Sequence, residues 1–261
     1  DKMAVVSILP ERPISTSTPT STVASIASEI NGGFGLRIAS DGNLAITGNL
    51  GTTQALARLS AKATGELRLG ATAQIRTTGD ISLGALTRFI NQSTSASVLS
   101  STGGSWRVYS ENLDPFSPTT GDQTGALDHQ FRAYNYQPTS AVNDLHSFVL
   151  SGHNGFVYKL APSATLLPAT AISKTYDGTT IADPAILNFS VSGGINGDVL
   201  TFSGIPSGVF ATANASTTSV SIAGITVLAK DSTDKPVLGY GFTPSVAATI
   251  TPKPLEGTLI G

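Results

Sequence analysis

The chain has 261 residues and a formal net charge of −2, and only 12% of its residues are charged. So little charge speaks against a nucleic-acid partner, which would require a basic surface. The absence of cysteine excludes disulfides, zinc-thiolate sites and cysteine catalysis, and no apolar run approaches the roughly 18 residues that membrane insertion needs.

Residues 1–30 are predicted to form a polar lead-in or linker. The stretch STSTPTST at 15–22 is rich in Ser and Thr. This composition is typical of connecting segments with little regular structure.

Short alternating apolar runs begin the segment 31–165, separated by Gly, Asn, Asp and Thr. The alternation has the period of two that indicates brief β-strands. The phrase GELRLGA at 65–71 returns as GDISLGA at 79–85. We interpret the two copies as one strand in successive windings of a right-handed parallel β-helix, or solenoid.

The core of such a solenoid would consist of stacked aliphatic side chains, among which Leu67, Leu69, Ile81 and Leu83 are the predicted structural residues. An antiparallel sandwich is the alternative, because its strands show the same alternation. The scarcity of Asn-Gly hairpin turns favours the solenoid.

Aromatic residues become frequent after Arg88. The end of a solenoid exposes unpaired backbone and an open apolar cross-section, which bulky side chains must cover. We therefore predict that this block forms an aromatic-rich cap on the solenoid, with Trp106 and Tyr109 as structural residues. The block comprises Phe89, Trp106, Tyr109, Phe116, Phe131, Tyr134, Tyr136, Phe148, Phe156 and Tyr158.

The pattern changes again in residues 170–255, where short apolar runs recur every 8 to 12 residues or so, with turn residues between them. This spacing is typical of a small β-sandwich, and we expect an immunoglobulin-like one. The prolines at 162–168 mark the expected boundary between the two domains. The whole chain is therefore predicted to be all-β.

Several segments carry a family resemblance. FINQSTSASVLSSTGGSWRVYSENLD (89–114), ALDHQFRAYNY (126–136) and GHNGFVYKLAP (152–162) resemble the end of the β-helix in filamentous-haemagglutinin-like large exoproteins. ISKTYDGTT, GDVLTFSG and ATITPKPL, which lie within 172–255, are similar to the YDG repeat domain that follows such helices.

The resemblance implies an extracellular adhesin of the bacterial cell surface, exported by two-partner secretion with an outer-membrane transporter as the partner of the parent protein. A structural stalk and display module for surface attachment or biofilm formation is the expected role. The receptor would be a host-surface or matrix polysaccharide or protein. The chain lacks the secretion domain of that family, so we expect it to be a fragment.

Little in the sequence indicates catalysis or a cofactor, and we expect neither an enzyme nor a metal site. The spacing of His129, His146 and His153 matches no zinc motif. A β-solenoid glycosidase would need a pair of catalytic carboxylates, but the carboxylates of the solenoid stretch are most simply turn residues. Ser151 lacks the nucleophile-elbow motif of a serine hydrolase. The residues weighed were Asp122, Asp128 and Asp144 beside the histidines, and Asp41, Glu66 and Asp80 in the solenoid.

The motif Tyr176-Asp177-Gly178 is interpreted as structural. Gly accepts positive φ, Asp can accept a hydrogen bond from the backbone two residues on, and Tyr would pack as an anchor at the end of a strand. An isopeptide bond from Lys174 to Asn188 is conceivable in a surface stalk, although no buried acid marks it.

A carbohydrate-binding module is the alternative function. Exposed aromatic side chains in the cap region could stack on sugar rings while Asn and Asp bind the hydroxyls. Trp106, Tyr134 and Tyr136 are the candidate ligand-binding residues for such a site.

Overall fold

The computed structural model describes residues 3–8, 24–136, 150 and 152–255. The prediction of an all-β fold is confirmed, since the only helical element of this part of the chain is the 3₁₀ turn Pro184–Ile186. None of its helices is long and apolar enough to cross a membrane.

The chain divides into two compact units. Unit 1 extends to Ala161 and also contains Lys235–Gly239, whereas unit 2 comprises Pro162–Asp234 and the chain from Tyr240 onward. The first division lies at the start of the proline-containing interval 162–168 that the sequence indicates.

Unit 1 is a β-solenoid, as predicted, and it has about five turns. Its strands form three sheets, and every strand pair in them is parallel. Sheet A runs in the order β1 (Met3–Ile8), β3 (Gly35–Ser40), β5 (Arg58–Ala63), β8 (Ile81–Ala85), β11 (Trp106–Ser110), β13 (Gly155–Tyr158), β12 (Phe131–Ala133), β20 (Pro236–Leu238). Sheet B contains β2 (Ala24–Ile26), β4 (Leu44–Ile46), β6 (Glu66–Leu69) and β9 (Arg88–Asn91), and the third sheet pairs β7 (Ile75–Thr77) with β10 (Leu99–Ser101).

Equivalent positions of successive coils stack into columns. In sheet A, Leu36 pairs with Leu59 and Leu59 with Ile81, and each of these side chains is at most 2% exposed. One coil takes 22 to 25 residues, the separation at which hydrogen bonds join neighbouring coils. The parallel pairing excludes the antiparallel sandwich for this unit.

The interpretation of the repeated phrase is wrong in one respect. Its two copies lie in different sheets, because Leu67 belongs to β6 of sheet B and Ile81 to β8 of sheet A. Leu67 stacks between Leu44 and Phe89 rather than on Ile81. The physical reason is that the copies are separated by fewer residues than one coil requires. All four predicted core residues, Leu67, Leu69, Ile81 and Leu83, are nevertheless fully buried.

The lead-in prediction for residues 1–30 is also wrong in part. β1 pairs with β3 along its whole length, and β2 pairs with β4. These two segments therefore belong to the solenoid, while the Ser- and Thr-rich stretch 15–22 lies outside the described residues.

Side-chain oxygens continue the ladder at the corners of the coils. Each accepts a hydrogen bond from a backbone N–H of a neighbouring coil, which would otherwise lack a partner. Examples are Asn43 with Glu66 at 2.8 Å, Asn49 with Gln74 at 3.1 Å, Asp80 with Ser105 at 2.9 Å, and Asn154 with Trp106 at 2.8 Å.

Strand order departs from chain order at the end of sheet A. β13 lies between β11 and β12, although β12 precedes it in the sequence. β20 then pairs with β12, placing Val237 beside Arg132, and the Tyr134 N–H donates to Leu238 O at 2.9 Å. The strand beside β12 thus comes from a segment more than one hundred residues further along the chain.

Unit 2 consists of two groups of strands that share one core. The first has the order β16 (Ile181–Ala182), β18 (Val199–Phe210), β19 (Ser216–Lys230), β22 (Ser245–Thr251), β15 (Ile172–Thr175), in which the β15–β22 pair is parallel and the other pairs are antiparallel. In the second, β14 (Ser163–Pro168) pairs with β17 (Phe189–Ser192) and β21 (Gly241–Phe242). Leu166 and Phe189 of the second group pack with Phe210, Val220 and Ile250 of the first.

Candidate functional site

The aromatic side chains predicted to bind a sugar are buried. Trp106 is 3% exposed, Tyr136 2% and Tyr134 0%. A sugar ring cannot stack on a face that the protein already covers, so the prediction of an exposed aromatic platform at these three residues is wrong.

Aromatic rings instead continue the apolar column of the solenoid. Trp106 stacks next to Ile81 in sheet A, and its ring meets that of Phe156 edge to face at a centroid distance of 5.3 Å. Tyr158 then contacts Phe116 at 5.1 Å and Tyr134 at 5.8 Å. Aromatic side chains bury more area than the aliphatic side chains that precede them in the column. The side chains of the core therefore become larger toward β12.

A second buried cluster involves Tyr109, the other predicted structural residue of the block. It packs with Phe131, Ala133, Tyr136 and Val157. The centroids of the Tyr109 and Tyr136 rings are 5.2 Å apart. The role of Tyr109 here is therefore packing. Phe148 lies outside the described residues.

The turn at Asp177 and Gly178 has the geometry that the motif predicts. Gly178 adopts a φ of 78°, in the left-handed region. Asp177 Oδ1 accepts hydrogen bonds from the Thr179 N–H at 2.9 Å and from the Thr179 hydroxyl at 3.0 Å. The carboxylate thus holds the chain in a turn that glycine allows without strain.

Lys174 is the centre of this turn. Its ammonium group lies 5.2 Å from the centroid of the Phe210 ring and donates to four oxygen atoms. These are Asp177 Oδ1 at 2.8 Å, Thr179 O at 2.7 Å, Thr179 Oγ1 at 3.0 Å and Ile181 O at 3.1 Å. The hydrogen bond from Lys174, followed by that from the Thr179 N–H, lowers the pKa of Asp177 to about 2.

These contacts leave no support for an isopeptide bond from Lys174 to Asn188. The four oxygen partners of the ammonium group belong to Asp177, Thr179 and Ile181. Sequence reasoning missed this role of Lys174, for which its position three residues before Asp177 was the available signal.

Tyr176 does not pack as the predicted anchor, since 41% of its surface is exposed. Only its backbone is fixed, by a hydrogen bond from its N–H to Thr251 O at 2.8 Å. The ring lines an open groove of about 880 Å³ with Asn214, Ala215, Pro252, Lys253, Pro254 and Leu255. The sequence analysis did not single out Asn214 or Lys253.

The carboxylates of the solenoid have structural contacts. Asp80 accepts from the Ser105 N–H, and Glu66 forms an ion pair with Arg68 at 2.6 Å. Asp122 accepts from the Phe89 N–H at 2.9 Å, and burial raises the pKa of its carboxyl group. Asp41 is exposed.

The histidines do not form a metal site within the described part of the chain, which contains no cluster of three or more His, Cys, Asp or Glu side chains suited to a metal ion. The His129 ring lies edge to face with Phe156, at 5.6 Å between centroids. Asp128 forms an ion pair with Lys235, which lowers the pKa of its carboxyl group. His146, Asp144 and Ser151 lie outside the described residues.

Comparison with known families identifies one region of the chain. Residues 161–235 match the YDG domain. The match covers the turn at Asp177 and most of unit 2, and it ends at Lys235, where the chain returns to unit 1. No curated protein and no solved structure matches the chain.

Proposed function

We propose that the chain is part of an extracellular bacterial adhesin, in which it acts as a structural stalk and display module for surface attachment or biofilm formation. The single observation that carries this proposal is the combination of a β-solenoid with a YDG domain in one chain. We propose no catalytic role.

The physics of the solenoid suits a stalk. Backbone groups of each coil form hydrogen bonds with the coils on either side. At the corners, side-chain oxygens such as those of Asn43 and Asp80 accept hydrogen bonds from backbone N–H groups of a neighbouring coil. Columns of stacked apolar side chains, such as Leu36, Leu59 and Ile81, fill the interior. A chain can therefore extend coil by coil without a wide hydrophobic core, because each repeat needs only its neighbours.

Finer features belong to the same proposal. The solenoid is right-handed, the aromatic block caps it, and unit 2 is an immunoglobulin-like sandwich. The parent protein is a filamentous-haemagglutinin-like exoprotein, exported by two-partner secretion through an outer-membrane transporter. The resemblance of the segments 89–114, 126–136 and 152–162 supports the assignment of the parent protein. The burial of Trp106 and Tyr109 supports the cap.

Localisation and attachment can be tested together in the bacterium that produces the chain. Antibodies raised against the purified chain should label intact, non-permeabilised cells, and the label should disappear in a strain that lacks the gene. That strain should also attach to surfaces less well than its parent. Labelling that appears only after permeabilisation would contradict the proposal.

The receptor of the adhesin is a second question. A host-surface or matrix polysaccharide or protein is the partner that the resemblance implies. Beads coated with the chain should adhere to host cells or to matrix material if this segment makes the contact itself. If beads coated with the chain do not adhere while the parent protein does, the chain serves as a stalk alone.

A further inference from the structure

We propose that the open groove beside Tyr176 binds an acidic saccharide, one whose sugar rings carry carboxylate groups. The groove, here called the Tyr176 groove, is lined by Tyr176, Asn214, Ala215, Pro252, Lys253, Pro254 and Leu255. Its volume of about 880 Å³ is within the usual range of ligand sites. It belongs to unit 2 alone, so the inference does not rest on the proposed role as a stalk.

The register of three strands brings the lining together. Thr175 at the end of β15 pairs with Thr251 at the end of β22, and Ser216 at the start of β19 pairs with Ile250 of β22. The segments that follow β15, follow β22 and precede β19 therefore meet at one end of the sheet. Neighbouring strands are about 4.8 Å apart, so the three segments span roughly 10 Å.

The groove presents three polar or aromatic side chains that the described part of the chain does not use. The side chains of Tyr176, Asn214 and Lys253 form no hydrogen bond or ion pair with any other residue in 24–136, 150 and 152–255. Tyr176 is 41% exposed although its backbone N–H donates to Thr251 O. Groups of this kind are available to a ligand without breaking an internal contact.

One wall of the groove is stiff. Lys253 lies between Pro252 and Pro254; each proline fixes its own φ, and Pro254 also restricts Lys253 to extended conformations. The ammonium group is thus carried by a pre-organised segment, which lowers the entropy cost of binding. Neither proline has a backbone N–H, so this wall cannot pair with an added peptide strand along a regular ladder.

The chemistry of the three side chains together selects the ligand. The face of Tyr176 offers an apolar platform for a sugar ring, and the Asn214 amide can both donate to and accept from hydroxyl groups. Lys253 supplies a positive charge, which favours a carboxylate over a neutral hydroxymethyl group. A uronic-acid oligosaccharide has all three matching features.

Titration calorimetry with the full chain tests the inference, using a galacturonate hexamer as the acidic probe and a maltose-series hexamer as the neutral one. The acidic hexamer should bind saturably and more tightly than the neutral one. Tyr176→Ala and Lys253→Ala should each weaken its binding at least about tenfold, because each removes one of the few contacts. Tyr176→Phe, which keeps the ring, should retain most of the affinity.

Lys230→Ala is the matched control. Lys230 is an exposed lysine at the opposite end of β19, paired with Asp234 at 2.7 Å, and its loss should leave binding unchanged. Raising the ionic strength should weaken binding of the acidic hexamer, since an exposed charge pair is screened. Circular dichroism of each variant verifies that it is folded.

Four results would overturn the inference. The acidic hexamer fails to bind at millimolar concentration, or it binds Tyr176→Ala as tightly as the unmodified chain, or the neutral hexamer binds equally well. An acidic peptide that binds in place of both sugars, with the same dependence on Tyr176 and Lys253, would also overturn it. None of these results bears on whether the chain is displayed at a cell surface.

Discussion

Asp177 is the residue whose charge holds the turn at Lys174. Its carboxylate accepts from the Lys174 ammonium group, the Thr179 N–H and the Thr179 hydroxyl. All three contacts favour the ionised form, which is why the pKa of Asp177 falls to about 2. The turn therefore depends on a group that stays ionised well below neutral pH.

Asp177 should make the stability of unit 2 depend on pH in a defined window. The pKa is lower in the folded state than its ordinary value of 3.8, so the stabilisation is complete above about pH 4 and is lost as the pH falls toward 2. We expect Asp177→Asn to be less stable than the unmodified chain at pH 7 and the difference to shrink below pH 4. Denaturant unfolding of both chains at several pH values measures the difference in their free energies of unfolding. A difference that stays constant from pH 7 to about pH 2 would contradict the assigned role.

The stacked columns of sheets A and B make each buried leucine of the solenoid costly to remove. Leu67 is fully buried between Leu44 and Phe89, and its truncation would leave a cavity. We expect Leu67→Ala to lower the free energy of unfolding of unit 1 by about 2 to 5 kcal/mol. The only tryptophan of the chain, Trp106, lies in unit 1, so its fluorescence reports this transition.

Leu113→Ala is the control for that substitution. Leu113 also belongs to unit 1 but is 70% exposed, and its truncation should change the free energy of unfolding by about 0.5 kcal/mol or less. Equal effects of the two substitutions would show that the Leu67 column is not the core of the solenoid.

Strand β20 is predicted to stabilise unit 1 although it lies far from the other strands in sequence. Val237 is 4% exposed and pairs with Arg132. We expect Val237→Asp, which buries a charge, to destabilise the transition reported by Trp106 on the order of 3 kcal/mol. Val199→Asp, at a position that is 62% exposed, should have little effect on it. An unchanged transition in Val237→Asp would argue against a structural role of β20.

The elements differ in how far the sequence could predict them. Alternation and aliphatic anchors sufficed for the strands around Leu67 and Ile81, because a period of two has a direct structural meaning. The repeated phrase could not predict the sheet to which each strand belongs. A strand stacks on the strand one full coil away along the chain, whether or not the two sequences are similar. The sequence also could not predict which aromatic side chains are exposed. Trp106 is buried, whereas Tyr176 lines a groove.

The sequence could predict the turn at Asp177 and Gly178 but not the Tyr176 groove. The turn at Asp177 and Gly178 follows from local chemistry, which depends on neighbouring residues alone. The Tyr176 groove combines segments that are far apart in the chain and meet only through the register of β15, β19 and β22. No local pattern marks Asn214 or Lys253 as neighbours of Tyr176.

The two units do not correspond to two continuous stretches of sequence. Prolines and a change of pattern mark the division at Pro162, but the return of Lys235–Gly239 to unit 1 has no such signal. The YDG match ends at Lys235, so a fragment cut at the limit of the family would leave the Tyr134 N–H without the oxygen of Leu238. The structural unit and the family domain therefore have different boundaries.

The position of β20 sets the order in which the molecule can be completed during synthesis. β12 leaves the ribosome long before its partner, and the Asp128–Lys235 ion pair joins residues 107 positions apart. Contacts this distant in sequence form slowly, because a long loop must close first. The edge of β12 that β20 later covers is a transient hazard for intermolecular association until Pro236–Leu238 has left the ribosome, and a pause in translation before that point should favour aggregation of the nascent chain.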